Sequence, residues 1–292
     1  MLDFFLTDEQ KEIRDLARRI ADEKIKPVRV ELDEEEKFPH EQLQILAQSD
    51  LLGLCIPEAY GGLGFGAYEQ ALVIEEISRI CPGVAVSYAA NFLGLYPIMI
   101  GGSEEQKQKY LIPICKGEKF AAECLTEPRG GSDFFGSTTI ARRDGSDFIL
   151  NGQKRFIVGG EGADFFLVYA KTDPDAPSSK SMTCFLVERE MGVKTEYLYG
   201  LMGCRGGGTA RVVFDNVRVP AENVVGEVNG AAPVFYQMMI PERLGTAAMT
   251  IGAARPALEI ATDYSAKRKA FGTEIRNFQA VSFKVADAVM KL

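Results

Sequence analysis

Residues 121–133 read AAECLTEPRGGSD, and the fold of the chain turns on how that stretch is read. The apolar run that opens it predicts a short strand. Pro128, with no amide proton to give a sheet ladder, stops that strand, and the chain opens into Gly130, Gly131, Ser132 and Asp133. Glycines let a backbone turn tightly and approach a ligand, and successive amides in such a turn form a concavity suited to phosphate. Read alone, the same residues also make an ordinary connection at a strand end.

Its company is informative. Outward from it lie PEAYGGLG at Pro57–Gly64, NGQKRFIV at Asn151–Val158, FDNVRVP at Phe214–Pro220 and RKAFG at Arg268–Gly272. Together with the signature T-E-P-x-x-G-S-D, these segments closely resemble the acyl-CoA dehydrogenases, flavoproteins that bind FAD and desaturate fatty-acyl thioesters. The resemblance runs along nearly the whole chain.

Composition bounds the alternatives. A chain of 292 residues is long for one core and suggests two or three domains. With 46% apolar and 25% charged residues it is a folded protein rather than a disordered one. A formal charge of -8 argues against a nucleic-acid or anionic-membrane binder, because both require a basic surface. The six cysteines, at 55, 81, 115, 124, 184 and 204, show neither close pairing nor metal-ligand spacing. They read as reduced thiols in a cytoplasmic protein, or in an organelle matrix if a presequence has been removed. The N-terminus lacks a basic flank before an apolar run, and no later segment is expected to reach membrane-span length, so neither secretion nor membrane insertion is expected. The single histidine, His40, excludes Ser-His and Cys-His nucleophiles and histidine-ligated metals. Any base is therefore a carboxylate, lysine, tyrosine or cysteine.

Periodicity divides the chain in three. Thr7 and Gln10 form a capping box, and Ile13, Leu16, Ala17, Ile20 and Ala21 recur at helical spacing until Pro27. Further helices are expected from Pro39 to Leu51, Ala67 to Ile80, Val84 to Ile100 and, behind a Ser103–Gln106 box, to Tyr110; residues 1–119 thus read as an all-α domain. Alternation then replaces the helical period. Asp144-Gly145 and Asn151-Gly152 read as hairpin turns, with strands near Phe148–Leu150, Arg155–Val158, Phe165–Ala170, Met182–Val187, Thr195–Leu198 and Arg211–Phe214. Residues 120–228 are expected to form an antiparallel, β-barrel-like middle domain. From 229 to 292 helical spacing returns. Leu244, Ala247, Ile251, Ala254, Leu258 and Ala261 form a seam, and Pro241 is expected to break or restart the helix. Two such helices cannot bury their apolar faces alone. They read as the first part of a C-terminal α-helical bundle, completed by a partner subunit or by helices that family members carry further on.

The resemblance implies a site. The α-proton of an acyl-CoA goes to a carboxylate and the β-hydride to flavin N5, while hydrogen bonds polarise the thioester carbonyl. In the branch that includes isovaleryl- and long-chain acyl-CoA dehydrogenases the base is the Glu of an E-R pair on the first bundle helix, which points here to Glu242 with Arg243 as a ligand- or charge-holding neighbour. Ile240 stands where members usually carry Asp. By the same resemblance Leu125 and Thr126 border the flavin pyrimidine edge, Gly131 and Ser132 lie near pyrophosphate or substrate, and Phe156, Ile157 and Val158 line the ring, with Val158 in place of a hydroxyl residue. Arg268, Phe271 and Gln279 match a segment that reaches the adenine-diphosphate half of FAD on a neighbouring subunit, so a homodimer or homotetramer is implied, with Ala270 replacing a frequent hydroxyl residue. Arg205 with Gly206–Gly208 reads equally as a turn or a CoA contact. Small side chains at Ala85, Ala89 and Ala90 suggest room for a long, branched or cyclic acyl group. The resemblance further implies electron transfer to an electron-transfer flavoprotein. Two other readings keep the sequence facts: an oxygen-using flavin oxidase or monooxygenase of the same fold, and a non-catalytic CoA- or partner-binding remnant.

Overall fold

The computed structural model describes residues 3–198 and 200–292. Its first layer is helical. Helix α1 (Asp8–Ile20) starts at the capping box, where Thr7 Oγ1 accepts from the Gln10 amide at 3.2 Å and Gln10 Oε1 accepts from the Thr7 amide at 3.0 Å. A π-helical turn, Ala21–Ile25, carries it on. The acidic stretch after Pro27 is a short helix, α2 (Arg29–Glu35), which the sequence reading passed over because it offers no buried face; none of its residues is buried. Then come α3 (His40–Gln48), α4 (Ala67–Ser78), α5 (Pro82–Gly101) and α6 (Glu104–Cys115). Helix α6 runs past Tyr110 and through Pro113.

Helix α5 overturns one expectation. It has 20 residues and a window of mean hydropathy 1.4, long and apolar enough to cross a membrane, but 67% of that window is buried inside the protein. It is the central helix of the first core, contributing Val84, Tyr88, Phe92, Leu95 and Ile98. A helix apolar all round suits either environment, and here the protein supplies it.

The middle layer is an open sheet. Strands β1 (Ala121–Cys124), β2 (Ile140–Asp144), β3 (Asp147–Ile157), β4 (Phe165–Lys171), β5 (Met182–Glu188), β6 (Lys194–Leu198), β7 (Ala210–Val219) and β8 (Val224–Val225) form it in the order β6-β7-β3-β2-β4-β5-β8. Pairing is mostly antiparallel. Two pairings on β4 are not: β1 lies parallel to it from Ala121↔Phe165 to Cys124↔Val168, and β2 meets it in parallel at Ile140↔Lys171. The turn at Asp144–Asp147 is the expected hairpin. Asn151-Gly152 is not a turn; it lies within β3 at a register shift between Leu150 and Gly152, so two predicted strands are one. Gly152 is required there, since a Cβ would fall 2.5 Å from Thr139 Oγ1. The sheet's inner face closes a second core around Phe148, Phe166, Phe185 and Phe214.

The last layer is α7 (Ala231–Lys267), a small hairpin of β9 (Lys269–Ala270) and β10 (Thr273–Glu274), and α8 (Gln279–Lys291). Pro241 does not break α7, which continues through it and through Pro256. The buried face also differs from the expected seam. Met238, Gly245, Ala248 and Gly252 are buried, whereas Leu244 and Ile251 are 41% and 40% exposed. Small residues win because α7 lies hard against α4: a Cβ on Gly252 would fall 2.3 Å from the Glu75 carbonyl oxygen, and one on Gly245 3.1 Å from Ile74 Cδ1. Polar ties hold the contact. Ser78 Oγ donates to the Met249 carbonyl at 2.7 Å, and Arg255 pairs with Glu75 while its Nη1 lies 3.6 Å from Glu76. Glu76, sealed from solvent, also receives Arg18 Nη2 at 2.8 Å and Arg79 Nε at 3.2 Å, which binds α1 into the joint. Replacing Gly252 with Ala is expected to lower stability by about 1–3 kcal/mol through overpacking, measured by denaturant unfolding, with an Ala247→Ser control on the open face near neutral.

Candidate active site

The signature stretch leaves β1 and is nailed down by a buried ion pair. Glu127 lies in a tight turn in which its amide and carbonyl exchange hydrogen bonds with Gly130 at 3.1 and 3.0 Å. The Gly130 amide is therefore committed to the turn rather than to a phosphate concavity. The Glu127 carboxylate points inward, accepting from Thr139 N at 3.0 Å, Thr138 Oγ1 at 2.7 Å, Ser137 Oγ and Lys154 Nζ at 2.9 Å. Lys154 Nζ also donates to the Leu125 carbonyl at 3.1 Å. Burial opposes the charge on Glu127, but Lys154 and these donors outweigh it and hold its carboxyl far below the ordinary range. Burial likewise pushes Lys154 down, against the pull of Glu127. On the far side of the loop, Phe134 stacks on Phe235 of α7 at 4.0 Å, with Tyr169 edge-on to both.

The end of β3 is reshaped beside this turn. The register with β7 shifts between Lys154 and Ile157, and at this bulge Phe156 takes a left-handed backbone, φ 56°, leaving its ring 50% exposed. Bulges re-aim side chains, and at this one Phe156 borders the cavity between the turn and α5. The Arg155 amide donates to the Thr126 carbonyl at 2.8 Å, joining the two segments. Gly131 approaches Thr126 so closely that a Cβ would fall 2.8 Å from its Oγ1.

Two adjoining cavities result. The sheet-side one, about 110 Å³, is lined by Glu123, Leu125, Thr126, Phe156, Ile157 and Val158 with Ala90 and Leu93 of α5. The helix-side one, about 80 Å³, shares Ala90, Leu93 and Val158 and adds Ile74, Ala89, Tyr96, Glu242, Gly245 and Met249. The close α4–α7 approach at Gly245 is what brings Glu242, one turn earlier, over this space. Thr246 Oγ1 donates to Glu242 Oε1 at 3.0 Å. A larger hollow of about 660 Å³ lies beside α6, lined by Lys109, Arg143 and Glu222 among others, and none of the expected site residues borders it.

The structure thus gathers Leu125, Thr126, Phe156, Ile157, Val158 and Glu242. Ala89 and Ala90 line the cavities, whereas Ala85 belongs to the core. Gly131, packed against Thr126, and Ser132, which is exposed, line neither cavity. Arg243 is exposed beside Glu242, and Arg268, Phe271 and Gln279 lie exposed around the β9–β10 hairpin, lining neither cavity. Arg205 is part of a packing joint: its Nη2 pairs with Glu36 at 2.9 Å, its Nε donates to the Asp33 carbonyl at 2.9 Å, and Gly206 and Gly207 are buried, Gly206 facing Leu32. Two residues went unread in the sequence. Lys154 gave no signal beyond its place in NGQKRFIV; Glu123 gave one, an acid within an apolar run.

A carboxylate borders one of these small cavities, an exposed aromatic ring and a bulged strand end border the other, and apolar side chains lie between them. Residues 7–118, 122–217 and 232–292 match the family models of the acyl-CoA dehydrogenase N-terminal, middle and C-terminal domains. The chain belongs to the acyl-CoA dehydrogenase family, oxidoreductases acting on acyl-CoA. It is 35% identical over 289 residues to a short-chain specific acyl-CoA dehydrogenase of Clostridium acetobutylicum, covering 98% of this chain and 76% of that one. Among solved structures it resembles butyryl-CoA dehydrogenase from Megasphaera elsdenii, with 34% identity, a TM-score of 0.92, and 98% and 76% of the two chains covered. It also resembles a chain from work on the electron transferring flavoprotein of Acidaminococcus fermentans and flavin-based electron bifurcation, with 35% identity, a TM-score of 0.93, and 99% and 77% covered.

Replacing Lys154 with Met is expected to leave Glu127 charged and buried, lowering stability by about 3–5 kcal/mol in denaturant unfolding at neutral pH. Because the folded Glu127 binds its proton less readily than the unfolded one, its contribution is complete above the ordinary carboxylate range near ~4 and is lost as pH falls through that range towards the folded value. The acid limb of the stability profile should flatten in Lys154→Met.

Proposed function

We propose that this protein is an FAD-dependent acyl-CoA dehydrogenase in which Glu242 is the base. The observation that carries the reading is the cavity pair: Glu242 borders the helix-side space, Thr126 and Phe156 border the sheet-side space, and Ala90, Leu93 and Val158 belong to both. An acyl chain between the two walls would present its α-carbon to the carboxylate.

The residues present suit a flavin. Leu125, Thr126 and Ile157 offer an apolar and hydroxyl-bearing edge, and the exposed Phe156 ring offers a flat wall to a conjugated ring system. Gly131 and Ser132 would lie towards pyrophosphate or substrate, Arg243 towards the ligand, and Val158 along the ring. When bound, FAD supplies the acceptor for the β-hydrogen and its electron pair. Glu242 takes the α-proton, with Oε1 oriented by the Thr246 hydroxyl, and Ile74, Ala89, Phe92 and Met249 keep water away. Arg268 can hold a diphosphate with its planar fork. Its exposure, with that of Phe271 and Gln279, supports an FAD site shared across a homodimer or homotetramer. The open apolar positions Leu244, Ile251 and Ile260 on α7 support the same association. Likeness to the Acidaminococcus chain supports an electron-transfer flavoprotein as the electron acceptor.

The test is the visible spectrum of the purified protein, titrated under nitrogen with a panel of acyl-CoAs. A flavin spectrum that bleaches is expected, and Glu242→Gln should slow the bleaching by about 10²–10⁴-fold. Bleaching at the wild-type rate in Glu242→Gln overturns the base. Colourless protein that takes up no FAD overturns the enzyme, and peroxide formed in step with oxygen uptake overturns the electron-transfer flavoprotein as acceptor.

A further inference from the structure

Glu123 is the one acid in strand β1, and the reaction proposed for Glu242 makes no use of it. Alternation along β1 sends Ala122 and Cys124 into the sheet's own core and turns Glu123 to the opposite face, between β4 and α5. There it lines the sheet-side cavity among Leu93, Leu125 and Val158. Its Oε1 is sealed from solvent and makes no well-formed hydrogen bond, and its polar neighbour is the equally buried hydroxyl of Tyr169 on β4, whose interaction with it favours the charged form. An isolated carboxylate in that position would be very expensive; a neutral acid costs far less. The pattern is that of a group whose partner is a ligand or a second titrating site.

The surrounding charges narrow the choice. Lys154 on β3 is committed to Glu127 at 2.9 Å, Cys124 on β1, Cys184 on β5 and Tyr169 on β4 carry no charge at neutral pH, and α5 lines the cavity with Ala90 and Leu93. Glu242 on α7 is the remaining ionisable group in range, and it borders the same Ala90–Leu93–Val158 partition from the other side.

We propose that Glu123 is the second carboxyl of the reaction site, a proton-bearing positioning residue that faces the acyl cavity from the sheet as Glu242 does from α7, so that the space between them holds one negative charge. Burial first, and the Glu242 charge second, push the Glu123 carboxyl up to about 8, while Tyr169 and Lys154 pull the other way. Proton abstraction builds negative charge on the substrate's thioester oxygen. A neutral Glu123 tolerates that charge, and an ionised one repels it. This catalytic consequence rests on Glu242 being the base; the coupling of the two carboxyls does not.

Infrared difference spectroscopy on the purified protein, following the carboxylic-acid C=O band from neutral to alkaline pH, tests the coupling without turnover. A band lost with a midpoint of about 8 is expected. It should be missing in Glu123→Gln and should titrate at lower pH in Glu242→Gln, where the repelling charge is gone. A Glu123 already ionised at neutral pH, or a midpoint that Glu242→Gln does not move, overturns the pairing. In turnover, kcat/KM of the wild type should fall through the same midpoint, and Glu123→Gln should lack that alkaline limb. An identical limb in both proteins overturns the positioning role. Inactivity of the wild type towards every acyl-CoA overturns the function proposed above while leaving the infrared result to decide the pairing.

Discussion

One ion pair, shut away from water, holds the site in register: Lys154 on Glu127. Each charge alone would carry a desolvation penalty of several kcal/mol, which only a fully satisfied neighbourhood offsets. Thr138, Thr139, Ser137 and the Leu125 carbonyl provide it, so the glutamate of the signature stretch can occupy only one position relative to β3. Thr126 lies one residue before Glu127, and Phe156 two residues after Lys154. The geometry of the sheet-side wall is thus inherited from a contact that borders neither cavity.

The opposite wall is set by a different constraint, the absence of side chains. Gly245 and Gly252 let α7 lie on α4 at a separation that a methyl group would spoil, and the Arg18–Glu76–Arg255 network fixes the rotation. Glu242 reaches the cavity because of where these glycines fall. The placement of Glu242 beside the cavity follows from helix spacing, and the Thr246 hydroxyl adds its hydrogen bond to the carboxylate.

What the sequence disclosed follows the same division. Capping boxes at Thr7 and Ser103, the hairpin at Asp144 and the change of period near residue 120 were legible because they are local. The face α7 buries was not. Periodicity singled out the large apolar residues Leu244 and Ile251, whereas the neighbouring helix selected small ones. Asn151-Gly152 read as a turn because a glycine bulge and a hairpin share that dipeptide; close approach to Thr139, a contact distant in sequence, distinguishes them. Of the cavity lining, Leu125, Thr126, Phe156, Ile157, Val158 and Glu242 stand in segments that the family resemblance marked. Lys154 and Glu123 were not legible, since their meaning lies in what faces them across the sheet.

The backbone at Phe156 carries a wider implication. Left-handed torsions disfavour a bulky side chain by roughly 1–3 kcal/mol, and glycine would relieve that strain outright. A search for thermostable variants would therefore be drawn to this position. Success there would remove the exposed ring that borders the sheet-side cavity, so a gain in backbone stability would come at the cost of the wall that lines it.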